Sequence, residues 1–252
     1  MNEIRTPHSD SFHLFAQTAE QVRATTKRLE KAAILGAYFE TLADSDLMRA
    51  ARYFSGYVFS LRDQRTINVG GAALIAAVIN ASGADDTVIR TRLVALGDIG
   101  DVVYEAYTER ESEAENQGAE YKVPGLSMAA VAAFLENLAA LSGSRQKIVA
   151  VTEAIKLLTP LEAKYFVKLL QGDLRIGLKE GAVEDAIARL SGSTVAEVQR
   201  ANMLTGDIGE TALMARQGTL ASAKMRLMHP LKFMLATPAA DLSDVARLMP
   251  ET

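Results

Sequence analysis

The residues with the most chemical potential lie in one short turn, Gly172-Asp173-Leu174-Arg175-Ile176-Gly177-Leu178-Lys179. Its glycines and terminal lysine resemble a nucleotide-binding P-loop in outline. The likeness fails at two positions: Leu178 separates the second glycine from Lys179, and Glu180 stands where Ser or Thr would hold magnesium. A helical pattern, not a strand, also precedes it. What remains is a turn with Arg175 and Lys179 flanking exposed backbone amides, a combination suited to the phosphate oxygens of a polymer. Taken alone, the same residues read first as a solvated turn with surface charges.

Other reactive constellations are missing from the chain. His8, His13 and His229 form no cluster with metal-ligand spacing, there is no HExxH or nucleophile-elbow motif, and there is no cysteine. Asp85-Asp86 and Glu184-Asp185 read as first-turn acids that complement a helix dipole. Met225, Met228 and Met234 read as packing residues. Net charge is −4, yet residues 142–235 hold 13 Lys and Arg against 9 Asp and Glu, so the basic excess lies around the turn. A local basic face on an acidic chain is compatible with phosphate binding. The N-terminus carries no secretory h-region and no apolar run is long enough to span a bilayer, so the chain is expected to be soluble, with no membrane partner.

The elements that must position this turn are helical. Pro is scarce, at six, and Leu and Ala dominate. Phe12, Phe15, Ala19 and Val22 are spaced for an amphipathic helix. Thr25 and Thr26 are N-cap candidates for a helix to about Leu42, and Asp44 or Ser45 for one through Phe59. The polar stretch 60–71 reads as a connector, followed by helices at about 72–80, 85–96 and 101–108. Ser127 starts a helix to Leu141. Ile148, Val151, Ile155 and Leu158 share a helical face, and Thr159-Pro160-Leu161-Glu162 and Thr194-Val195-Ala196-Glu197 are capping boxes. The run 109–125, acidic and ending in Pro-Gly, reads as an exposed loop between two halves.

A shift of 109 positions aligns residues 70–107 with 179–216, pairing Ala73 with Ala182, Ser82-Gly83 with Ser191-Gly192 and Gly97-Asp98-Ile99-Gly100 with Gly206-Asp207-Ile208-Gly209. The helices near Lys31 and Lys147 correspond at a slightly different offset. This is the signature of a duplicated helical unit. GDIG admits two readings: a helix terminator, an Asp cap and a close-packing Gly, or peptide amides that cradle phosphate.

These residues resemble a known family. LTPLEAKYFVKLLQGDLRIGLKEGAVEDAIA with NMLTGDIGETALMARQG is similar to the N-terminal DNA-binding domain of ATP-dependent DNA ligases. TTKRLEKAAILGAYFETL with the first GDIG resembles its first half, and HPLKFMLA the connector toward the nucleotidyltransferase domain. The resemblance implies an all-α fold of about a dozen helices in two pseudo-symmetric, duplicated halves, gripping the minor groove of nicked double-stranded DNA without sequence specificity. It maps phosphate contacts onto Gly172, Arg175, Gly177, Lys179 and Arg28, and by analogous helix starts onto Thr26, Ser144 and Lys147. Asp173 occupies a turn position that is often basic in the family.

The family's KxDG lysine, which forms the lysyl-adenylate, has no counterpart among these 252 residues. The expectation is a DNA-binding part of a larger ligase, inactive alone, with no cofactor of its own. ATP and Mg2+ would serve the full-length parent in replication, repair or recombination. The expected organisation is an N-terminal helical segment (1–24), a first half (25–108), an acidic inter-half loop (109–125), a second half (126–235) and the start of a connector (236–252), as a cytoplasmic monomer. The alternative is an all-helical scaffold that binds protein and not DNA.

Overall fold

Helices begin in this chain where the sequence supplies acceptors for orphan first-turn amides. Ser11 and Ser127 accept from Leu14 N and Ala130 N, and both capping boxes close as expected, Thr159 with Glu162 and Thr194 with Glu197. A computed structural model describes residues 11–116 and 125–227. Its helices are α1 (Phe12–Ala24), α2 (Arg28–Thr41), α3 (Asp44–Phe54), α4 (Gly71–Ser82), α5 (Asp86–Leu96) and α6 (Ile99–Asn116), then α7 (Met128–Ala140), α8 (Ser144–Ile155), α9 (Pro160–Gln171), α10 (Glu180–Ser191), α11 (Val195–Thr205) and α12 (Ile208–Arg216). A short 3-10 turn, Leu220–Ser222, follows. Among the described residues there is no β-strand, and the fold is all-α as expected.

The duplication is more complete than the sequence alignment suggested. α1, α2 and α3 start 116 positions before α7, α8 and α9, and α4, α5 and α6 start 109 positions before α10, α11 and α12. The change of offset falls in the connector 55–70, which is longer than its counterpart 172–179. Ser11 and Ser127, equivalent caps, form an antiparallel bridge to each other, as residues beside a twofold axis would. Segment 1–24, read as an entry element, thus contains α1, the repeat of α7. Phe12, Phe15, Ala19 and Val22 are fully buried, and each Phe contributes about 2–3 kcal/mol relative to an exposed ring.

Packing does not keep each half to itself. α2 lies along α10 and α3 along α12, whereas α4 lies along α8 and α6 along α9. Each lobe therefore combines the early helices of one half with the late helices of the other. The boundaries 25–108 and 126–235 separate sequence repeats, not packing units.

The GDIG segments fasten this exchange. Asp98 Oδ1 accepts from Gly100 N (2.7 Å) and Asp207 Oδ1 from Gly209 N (2.9 Å), so these first-turn amides are already satisfied. The same carboxylates pair with cations of α9 and α3: Asp98 with the buried Lys168, and Asp207 with the half-buried Arg52. A Cβ on Gly100 would lie 2.9 Å from Lys164 O, and one on Gly209 would lie 2.5 Å from Met48 O. GDIG is a cap, an ion pair and a close crossing. The amides of Gly97, Gly100, Gly206 and Gly209 are spent internally, which favours this structural reading over the phosphate cradle.

Other expectations need correction. Residues 109–116 belong to α6, not to a loop: ERESEAEN contains good helix formers and no Gly or Pro, and Arg92 Nη2 bonds both oxygens of Glu109 at 2.9 and 2.7 Å. α3 stops at Phe54, not Phe59, where the chain turns through Gly56 at φ +83°. Neither Asp44 nor Ser45 caps it, since Ala43 holds the N-cap position. Residues 1–10, 117–124 and 228–252, with HPLKFMLA and the connector 236–252, lie outside the described residues.

Candidate nucleic-acid interface

Five helices among those described, α2, α3, α4, α8 and α10, begin without a side-chain cap. Four of these meet in two pairs, because α2 packs on α10 and α8 on α4. A helix start without a cap leaves first-turn N–H groups and the positive end of the macrodipole open to an anion. The interleaved halves bring the uncapped starts together.

At the α2/α10 pair, Thr26, Arg28, Lys31, Gly177, Lys179, Gly181 and Ala182 line a crevice of about 350 Å³. Four of the eight residues singled out in the sequence, Thr26, Arg28, Gly177 and Lys179, converge here from opposite halves. Lys179 holds the N-cap position of α10, is exposed, and makes no ion pair among the described residues. Arg28 spans the crevice: its Nε and Nη2 bond Asp185 at 2.6 and 3.0 Å, and that pairing holds its guanidinium above the usual arginine range. Thr26 is exposed and caps nothing, because Lys27 occupies the N-cap position of α2. Thr25 instead accepts from Lys27 N (3.2 Å) and donates to Glu30 (2.7 Å).

Gly177 is left-handed (φ +61°), and Lys31 reaches beneath it, donating to Ile176 O (2.6 Å) and Gly177 O (2.8 Å). Burial holds the Lys31 ammonium below the usual lysine range. The second pair repeats this construction. Asn68 takes the left-handed conformation (φ +47°) at the place of Gly177, and Lys147 donates to Ile67 O (2.5 Å) and Asn68 O (3.5 Å). Ser144, exposed at the first turn of α8, takes the place of Arg28.

The remaining residues singled out lie elsewhere or act differently. Gly172 terminates α9 with φ +74°, and its N–H is spent on Leu169 O (3.0 Å), so it supplies the turn and not a donor. Arg175 does not line the crevice. It is left-handed (φ +50°) and its Nη1 donates to Gly97 O (2.6 Å), at the end of α5, while half the side chain stays exposed. Lys147 is a buried anchor, not a surface contact. Sequence reasoning missed Lys31, Asn68 and Gly181. Ile67-Asn68 and Ile176-Gly177 do align under the same 109-position shift, and that was the available signal.

Around the buried Lys164, charge ties α1 to α6 and α9 across the two lobes. Lys164 pairs with Glu20 and with Asp101 (3.1 Å), Tyr165 donates to Glu20 (2.8 Å), and Arg23 reaches Asp101 (3.2 Å). Burial raises the carboxyl of Glu20, and the bonds from Lys164 and Tyr165 more than offset it, leaving it below the ordinary glutamate range. Asp98 and Asp207 follow the same pattern, with Lys168 and Arg52 as the offsetting cations. Among the described residues no group of three or more His, Asp or Glu is placed to hold a metal ion, and no helix is long and apolar enough to cross a membrane.

An all-helical, pseudo-twofold module with paired helix starts is the class that fold and site define. Residues 11–188 match the family described as DNA ligase N terminus, and the chain belongs to that family. It is 38% identical over 231 residues to a probable DNA ligase of Koribacter versatilis, covering 92% of this chain and 38% of that protein. Similar matches are a probable DNA ligase of Opitutus terrae (35% identical, 91% of this chain, 25% of that protein) and a DNA ligase of Archaeoglobus fulgidus (29%, 94% and 43%). The chain thus spans well under half the length of these relatives.

Proposed function

We propose that this chain is the DNA-binding N-terminal domain of an ATP-dependent DNA ligase and that it grips nicked duplex DNA without sequence specificity. The observation that carries the reading is the meeting of four uncapped helix starts in two pseudo-twofold pairs. A duplex has two antiparallel strands related by local twofold axes, so two such pairs match its symmetry. In this reading Thr26, Arg28, Gly177 and Lys179 meet one strand, Ser144 and the start of α4 meet the other, and Arg175 adds a cation from its turn. Contacts of this kind position a protein on the backbone and carry no base information.

Ligation itself is assigned to the parent enzyme. ATP and Mg2+ are assigned to the parent with it, since this sequence has no KxDG lysine and its 172–179 turn lacks the P-loop pattern. We assign the parent to replication, repair or recombination in the cytoplasm, and this domain to a monomeric state.

Fluorescence anisotropy with nicked and intact duplexes of unrelated sequence tests the reading. Binding should vary little with sequence and weaken steeply with salt. Salt-insensitive binding, or no retention of DNA at low salt, would contradict it and favour a protein-binding scaffold.

A further inference from the structure

Lys164 and Lys168 are buried cations that face carboxylates. Lys31 and Lys147, 5% and 7% exposed, are buried almost as deeply but have no carboxylate within ion-pair distance among the described residues. An ammonium without a counter-ion is costly to bury. The chain nevertheless does so twice, at equivalent places. Each lysine donates to two backbone carbonyls, those of a left-handed residue and the residue before it: Ile176 and Gly177 in one case, Ile67 and Asn68 in the other. Each ammonium has three donors, so one N–H remains without an acceptor among the described residues. Lys31 also lines the α2/α10 crevice, with its Nζ 3.0 Å from where a Cβ on Gly177 would sit.

We propose that Lys31 and Lys147 are paired positioning residues whose charge is balanced, across the turn that each pins, by DNA phosphates, one on each strand. Each pins a left-handed turn so that the first-turn amides of the following helix, α10 or α4, face the duplex. Each also keeps its ammonium beneath the turn that leads into those amides. The two turns differ in surface chemistry, Lys179 standing where Gly70 stands in the other, but they share the buried cation. The proposal rests on the DNA-binding reading above and names residues that act through the turns instead of touching DNA.

The test compares binding of a fluorescent nicked duplex by the wild-type chain, Lys31→Gln, Lys147→Gln and Lys179→Ala over a range of salt. Glutamine keeps a donor for the carbonyls and removes the charge. Each glutamine variant should retain the wild-type circular dichroism spectrum, bind roughly tenfold more weakly, and show a shallower fall of affinity with salt. A structural role alone would leave the salt slope unchanged. Wild-type affinity and slope in both glutamine variants, with Lys179→Ala weakened, would overturn the proposal and leave the DNA reading standing. Failure of the wild-type chain to bind would overturn both. Should a variant not fold, nitrogen-detected NMR of the lysine ammonium groups in the wild-type chain decides. Two exchange-protected signals should move when nicked duplex is added, and unmoved signals overturn the proposal.

Discussion

Arg52 and Asp207 meet in a two-pronged ion pair, Nε to Oδ1 at 2.8 Å and Nη2 to Oδ2 at 2.6 Å, across 155 positions of sequence. The pair joins α3 to α12, helices from different halves, and Lys168 with Asp98 does the same for α9 and α6. Removing one partner strands the other in a place that water reaches poorly. Asp207→Ala should cost about 2–3 kcal/mol, toward the low side for a buried pair because Arg52 keeps some solvent exposure. Urea denaturation measures this, and a loss under half that size would show the pair to be peripheral.

Acid should unfold the domain through the same carboxylates. Asp98, Asp207 and Glu20 all have folded pKa values below their ordinary ones. Groups lowered in this way contribute fully above the ordinary carboxylate range and lose that contribution as pH falls through their folded values. Thermal stability should therefore drop below about pH 4. Asp98→Asn combined with Asp207→Asn should flatten that drop while lowering stability at neutral pH. An acid limb of wild-type steepness in the double variant would assign the effect to other groups.

The second glycine of each GDIG is a steric requirement. A methyl group at Gly209 would meet Met48 O at 2.5 Å and Arg52 Nε at 2.9 Å. Gly209→Ala should destabilise by about 3 kcal/mol, because the near atom is backbone on a packed helix and can yield little. Gly83→Ala serves as a contrast, since a Cβ there meets nothing within 4 Å and only the left-handed φ of +72° opposes it. Melting temperatures of the two variants should rank Gly209→Ala well below Gly83→Ala.

Surface charge at the turn can be removed without disturbing its backbone. Arg175 is left-handed, a conformation glycine adopts freely, so Arg175→Gly deletes the guanidinium and relieves strain together. The double variant Arg175→Gly, Lys179→Ala should melt near the wild type. It should bind nicked duplex at least about tenfold more weakly, with a salt slope reduced by about 1 for each phosphate no longer engaged. Unchanged binding would remove this turn from the interface.

Because early helices of each half pack on late helices of the other, neither half holds the whole of its core. Residues 1–116 and 125–252, expressed separately, should each show weak, non-cooperative helix by circular dichroism, and mixing should restore a cooperative transition. Independent cooperative folding of either piece would contradict the interleaving.

Much of the architecture was legible in the sequence, and for local reasons. Thr159-Pro160-Leu161-Glu162 and Thr194-Val195-Ala196-Glu197 specify helix starts by short-range hydrogen bonds, and the structure closes both boxes. Phe12, Phe15, Ala19 and Val22 announced one buried face by spacing alone. The reading failed where competing signals were weak: charge density made 109–116 look like loop, although its residues favour helix, and Thr26 looked like a cap although Lys27 took that position.

The sequence by itself determined the helices, their duplication and the family, since caps, periodicity and motif depend on neighbours along the chain. It could not determine which half supplies which partner. Only the tertiary structure decided that α2 meets α10 and α4 meets α8, because long-range packing selects among faces that are equally apolar in sequence. That choice places Arg28 beside Lys179, sets Lys31 and Lys147 beneath turns from the opposite half, and turns GDIG from a possible phosphate loop into the clasp that joins the halves.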